Sequence, residues 1–206
     1  MGKGFTVWFT GLSGSGKTAI SKFVEKEILK QGREVEVLDG DVVRTHISKG
    51  LGFSKEDRDA HISRLGWLAS RFSHYGVPVI TAAISPYKDI RNNCRQMITS
   101  AGGIMVEVYC ECDLDTLVKR DVKGLYKKAI AGEIKNFTGV SDPYEAPDNP
   151  EVVCYTAKET VEESAQKVID KLYELGCLKK KGEADEPYSE EEKKEIDKRL
   201  EALGYL

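Results

Sequence analysis

Between the apolar run FTVWFT (5–10) and an amphipathic stretch that starts at Lys17 stands GLSGSGKT, and this junction constrains the fold more than any other stretch of the chain. Gly11 to Thr18 fits the spacing G-x-x-x-x-G-K-[ST], set after an expected strand and before an expected helix. Glycines let backbone N–H groups turn inward around phosphates, and the helix N-terminus adds partial positive charge. Lys17 is placed to neutralise the β- and γ-phosphates, and the Thr18 hydroxyl to hold Mg²⁺. Gly11, Leu12, Ser13, Gly14, Ser15, Gly16, Lys17 and Thr18 therefore read as a nucleotide phosphate-binding loop.

The rest of the chain repeats this change of rhythm. Short apolar runs at 5–10, 34–39, 77–84, 104–110 and 151–156 alternate with helical patterns at 17–31, 58–75, 86–101, 114–121 and 160–175. Alternation of this kind is the mark of a parallel sheet flanked by helices. Gly32 and Gly176 stand where helices would stop. The expected architecture is an α/β domain over residues 1–178, with a sheet of five parallel strands.

Two stretches break the pattern. Residues 121–150 start basic and end rich in Pro, Asp and Asn, and a long irregular segment inside a compact domain reads as either a disordered stretch or a functional lid. Residues 179–206 read as a charged linker and a C-terminal helix with an apolar face at Ile196, Leu200, Leu203 and Leu206.

Charge narrows the partners. Lys and Arg total 31 against 34 Asp and Glu, a balance opposite to that of a duplex-binding protein, so no nucleic-acid partner is expected. The five cysteines include no C-x-x-C pair, and Cys110 and Cys112 lack a second pair to complete a zinc site, so they read as core thiols of a reducing compartment. The first residues hold too short an apolar run for a signal peptide or a membrane span. A cytoplasmic chain with no membrane partner is expected. His46 and His74 read as ordinary surface or helix residues.

The branch of phosphate-loop chemistry follows from what accompanies the loop. No N-K-x-D base-reading motif of a GTPase is present, and VITAAISPY does not end in the Asp expected of a motor ATPase strand. Instead LDGDVVR closes the second strand. Parallel sheets bind ligands at the carboxyl ends of their strands, so Asp39 and Asp41 should stand beside the loop. A carboxylate there takes a proton from an attacking hydroxyl or holds Mg²⁺. Arg44 and Arg58 suit bidentate recognition of an anion, and Phe53 offers a ring for a base. The combination describes a small-molecule kinase.

GLSGSGKT, LDGDVVR, GLGFSKEDR, ISPY and RDVKGLYKKAIAGEIKNFTGVSDPYEAPDNPE closely resemble the adenylyl-sulfate kinase family, in the family's order and from Phe5 to Leu175. The resemblance implies a P-loop nucleoside triphosphate hydrolase-like three-layer fold. It also implies transfer of the ATP γ-phosphate to the 3′-hydroxyl of adenosine 5′-phosphosulfate, with Mg²⁺, a homodimer and a role in sulfate activation, and leaves open a functional link to an ATP sulfurylase. Carried across, Asp41 is the acidic residue beside the acceptor hydroxyl, and Asp39 its neighbour near Mg²⁺. Arg44 and Arg58 become ligands of the phosphosulfate, Phe53 and Phe137 the rings that sandwich its adenine, and Lys123 the cation of the lid. Ser85 matches the serine to which a phosphoserine intermediate is ascribed; in-line transfer needs no such intermediate, and its hydroxyl or backbone is read as shaping the acceptor pocket.

One residue departs from the family pattern. His61 stands where the family usually has Asn, and it either keeps the same hydrogen bond to the acceptor or retunes it with a pH dependence. Two rival readings follow: a related kinase acting on another nucleotide-like acceptor, and a catalytically silent nucleotide-binding regulatory subunit.

Overall fold

The computed structural model describes residues 3–179 and Lys198. The linker and C-terminal helix expected over 179–206 thus lie outside the described residues, apart from Lys179 and Lys198.

Five strands form one parallel sheet in the order β2–β3–β1–β4–β5. They are β1 (Phe5–Thr10), β2 (Glu36–Asp39), β3 (Val79–Ala82), β4 (Ile104–Glu111) and β5 (Val152–Tyr155). Every residue of β1 is buried, as a central strand covered on both faces requires. Its side chains alternate between two cores. Phe5, Val7 and Phe9 join Ile20, Val24 and Ile28 of α1 (Lys17–Lys30) and Val168 and Leu172 of α7 (Val161–Glu174). Trp8 points the other way, among Leu65 and Ala69 of α3 (Lys55–His74) and Cys94 and Ile98 of α4 (Lys88–Ser100). Each such apolar side chain contributes about 1.5–3 kcal/mol on burial. The close approach of α3 to α4 depends on Gly66, where a Cβ would lie 2.4 Å from the Cys94 sulfur.

Strand order reverses direction at β1, between β3 and β4, so the loop after β1 opens at the crevice where parallel sheets bind ligands. That loop leads into α1 through Gly16, which has φ 90° and supplies no side-chain cap. The N-termini of α3, α5 (Leu114–Arg120) and α7 are capped by Ser54, Asp113 and Thr160. The first turn of α1 instead leaves its N–H groups to the loop and to whatever binds there.

Two helices depart from the sequence expectation. Asp39 caps a short helix, α2 (Gly40–His46), by accepting from the backbone N–H groups of Asp41 and Val42. Within the stretch expected to be irregular lies α6 (Leu125–Ile130), whose N–H groups of Tyr126 and Lys127 are held by the Asp121 carboxylate. Helix α3 also begins at Lys55 rather than at Arg58, because Ser54 and Asp57 close its first turn.

Candidate active site

A cavity of about 650 Å³ opens at the carboxyl ends of β1, β2 and β3. The phosphate loop forms one wall, α2 and the start of α3 a second, and the lid segment 122–138 the roof. Every site residue expected from the sequence lines it except three members of the phosphate loop: Gly11, Leu12 and Ser15. Those three shape the loop from behind. Gly11 has φ 140°, and a Cβ there would sit 2.5 Å from the Cys110 carbonyl oxygen. The buried Ser15 hydroxyl has no protein partner.

Lys17 is buried, and its Nζ donates to the Gly11 and Leu12 carbonyls at 2.8 and 2.7 Å. Desolvation lowers its pKa to about 8, with the nearby carboxylates of Asp41 and Asp39 opposing that fall. A triphosphate offers this ammonium stronger acceptors than two carbonyls. Thr18 is exposed at the mouth of the loop.

Across the cavity Asp41 stands exposed on the first turn of α2, and Lys123 of the lid donates to its Oδ2 at 3.0 Å. The helix carrying Asp41 is pressed onto β3: a Cβ on Gly40 would meet that of Ala83 at 2.9 Å. Asp39 spends Oδ1 on the cap of α2, so its position fixes that of Asp41.

Arg44 and Arg58 both lie near the exposed Phe53 ring, with guanidinium carbons 4.8 and 5.5 Å from its centroid. Both were expected to face an anion, and both line the cavity, but here their donors meet main-chain carbonyls. Arg44 donates to Gly52 at 2.8 Å, and Arg58 to Phe53 at 3.0 Å and to Asn136 at 2.6 Å. Arg58 thereby ties α3 to the lid. Phe137 also lines the cavity, is buried, and meets the Tyr126 ring edge-on at 5.1 Å.

His61 is buried, and its Nδ1 lies 2.9 Å from the Ser48 hydroxyl. Burial, reinforced by the Arg44 charge, lowers its pKa to about 4. The pH dependence expected of this residue is thus moved into the acid range, and one ring nitrogen is committed to the protein. Ser85 is buried with φ 42°, and its Oγ accepts from the Trp8 indole at 3.2 Å. His46 and His74 are exposed, as expected.

Several contributors carried no sequence signal. The Tyr126 hydroxyl donates to the Ser13 carbonyl at 2.8 Å and so joins the lid to the phosphate loop. Asp142 accepts from the Tyr87 hydroxyl at 2.9 Å and pairs with Arg58 at 3.7 Å. Arg120 donates to the Thr156 carbonyl at 2.8 Å, beside Gly16. These contacts join residues far apart in sequence, and no periodicity announces them. Among the described residues no group of three or more His, Cys, Asp or Glu is placed to hold a metal.

Comparison with known proteins agrees with this geometry. The family model for adenylylsulphate kinase matches residues 3–155. The chain is 56% identical over 181 residues to the probable bifunctional SAT/APS kinase 2 of Sorangium cellulosum, covering 88% of this chain and 30% of that protein. It is 54% identical over 178 residues to the adenylyl-sulfate kinase of Rippkaea orientalis, covering 86% of this chain and 96% of that one. The solved structure of the Mycobacterium tuberculosis APS kinase CysC in complex with AMPPNP and APS superposes with a TM-score of 0.80 at 42% identity, covering 84% of this chain and 99% of that one. With its phosphate loop, acidic turn and lid in one cavity, and with this likeness over most of its length, the chain belongs to the adenylylsulphate kinase family.

Proposed function

We propose that this chain transfers the γ-phosphoryl group of ATP to the 3′-hydroxyl of adenosine 5′-phosphosulfate, giving 3′-phosphoadenosine 5′-phosphosulfate. The observation that carries this reading is that the phosphate loop, Asp41 and the Phe53–Phe137 pair all line one cavity. Two nucleotides bound from opposite sides would meet at Asp41.

In this account the loop N–H groups and Lys17 hold the triphosphate, and Asp41 takes the proton of the attacking hydroxyl. Phe53 and Phe137 hold the acceptor base, and Arg44 and Arg58 turn from their carbonyl partners to its phosphosulfate. Lys123 then leaves Asp41 for the phosphates as the lid settles over both substrates, which keeps water from consuming ATP. Ser85 supports the acceptor wall and carries no phosphate.

Mg²⁺ fits the residues present. Thr18 offers an exposed hydroxyl, and Asp39 retains Oδ2 outside its cap, both hard oxygen donors of the kind this ion takes. When bound with ATP the ion would neutralise charge on the β- and γ-phosphates.

The homodimer expected from the resemblance is supported by exposed apolar residues on and near α3, among them Ile47, Trp67 and Tyr75. A functional link to an ATP sulfurylase draws support from the bifunctional relative. The five cysteines, all buried thiols, suit the reducing cytoplasm.

The test is product analysis. Incubation with ATP, Mg²⁺ and adenosine 5′-phosphosulfate should add one phosphate to the acceptor by mass, removable by a 3′-nucleotidase. Phosphate appearing on the protein at Ser85, or at another position of the nucleotide, would contradict the mechanism.

A further inference from the structure

Behind the acceptor wall lies a buried cation with no place in the account above. Arg91 of α4 is only 2% exposed, and each of its three guanidinium nitrogens donates a hydrogen bond. Its Nε donates to Glu107 Oε1 at 2.9 Å, its Nη1 to the Ser85 carbonyl at 2.6 Å and its Nη2 to the Glu145 carbonyl at 2.6 Å. Its guanidinium carbon also lies 5.8 Å from the centroid of the Tyr144 ring.

The two carbonyls belong to different walls of the site. Ser85 ends the β3 side of the cavity and holds a positive φ of 42°, a conformation that persists only where the surroundings impose it. Glu145 follows the lid, close in sequence to Asp142, the partner of Arg58 and Tyr87. The same knot reaches the donor side. The Tyr144 hydroxyl lies 2.9 Å from Thr10 Oγ1, and Thr10 donates to the Ile84 carbonyl at 2.8 Å immediately before the phosphate loop. Arg91 is thus bonded to the acceptor wall and the base of the lid, and packed against the ring that touches the end of β1.

We propose that Arg91 is a positioning residue for phosphoryl transfer, its planar fork setting the acceptor wall at Ser85 and the base of the lid at Glu145 relative to the phosphate loop. An apolar side chain at this position would leave Glu107 and two carbonyls buried without a partner, and only a guanidinium satisfies all three together. Lysine keeps the charge and loses the fork.

The inference rests on the functional reading above, and its test separates the two. Wild type, Arg91→Lys and Arg95→Lys are compared for the KM of adenosine 5′-phosphosulfate, ATP dissociation and thermal midpoint. Arg95 is the control: it bonds Glu107 and Glu151 in the same network but neither Ser85 nor Glu145. The expected result is a KM raised about tenfold or more in Arg91→Lys, as for lost charge-assisted hydrogen bonds, with ATP dissociation unchanged. Arg95→Lys should lower the midpoint and leave the KM alone. Should Arg91→Lys not fold, Glu107→Gln, which loosens the same fork, should raise the KM in the same direction. A lowered midpoint with an unchanged KM in Arg91→Lys or Glu107→Gln overturns the inference and leaves the function standing. A wild-type chain that does not turn over adenosine 5′-phosphosulfate overturns both.

Discussion

Lys123 Nζ donates to Asp41 Oδ2 at 3.0 Å, joining the lid to the first turn of α2 across 82 residues of sequence. Both side chains are largely exposed, 59% and 84%, and such pairs contribute at most about 1 kcal/mol. The contact is therefore a weak latch that a phosphate can displace. It also places the lid cation beside the carboxylate proposed as the general base.

Asp41→Ala should lower turnover by about 10²–10⁴-fold, the range for loss of a positioned general base. ATP affinity, measured by titration calorimetry, should stay close to wild type because the phosphate loop is untouched. Near-normal turnover would remove Asp41 from the chemistry.

The two phenylalanines should separate binding from stability. Phe53 is 55% exposed, whereas Phe137 is buried against Tyr126. Replacing either by Ala should cost about 1–3 kcal/mol of acceptor binding, the range for a lost stacking ring. Only Phe137→Ala should also lower the thermal midpoint, since it alone opens a void. Unchanged acceptor affinity in both variants would refute the sandwich.

ATP affinity should weaken as pH rises through about 8. Burial lowers the Lys17 pKa to about 8 in the free protein, and the triphosphate binds its charged form. Below pH 8 the ammonium is already present, so the affinity should level off. A flat profile from pH 7 to 9 would show that Lys17 stays protonated without nucleotide.

His61 makes the opposite end of the pH scale informative. Its folded pKa of about 4 lies below the ordinary 6.5, so the unfolded chain takes up the proton first. Its contribution to stability is complete above pH 6.5 and is lost as pH falls toward 4. Denaturant titrations of His61→Asn should lose less stability over that window than wild type. Equal losses would mean that the ring is not held neutral.

The apolar runs made the five strands legible, and the spacing of glycines with Lys17 and Thr18 made the loop so, because both depend on residues adjacent in sequence. Helix α2 was missed because it is short and its start depends on Asp39, whose carboxylate reads equally well as a metal ligand. Helix α6 was hidden in a segment whose composition suggests irregular backbone. Asp41, Phe53 and Phe137 were expected from motifs and the resemblance, and all three line the cavity. Arg58 was expected on the anion; its bond to the Asn136 carbonyl could not be foreseen, since it depends on how the lid folds back. Arg91 and Tyr126 gave no signal, because their partners, Ser85, Glu145 and Ser13, contribute backbone carbonyls that every residue possesses.

The most direct test of the central claim is ADP release measured with ATP and Mg²⁺ in three parallel reactions: with adenosine 5′-phosphosulfate, with adenosine 5′-monophosphate, and without an acceptor. The account predicts fast release only with the phosphosulfate, since the proposed role of Arg44 and Arg58 is to read that group. Equal release in all three reactions, or none despite tight ATP binding, would contradict it.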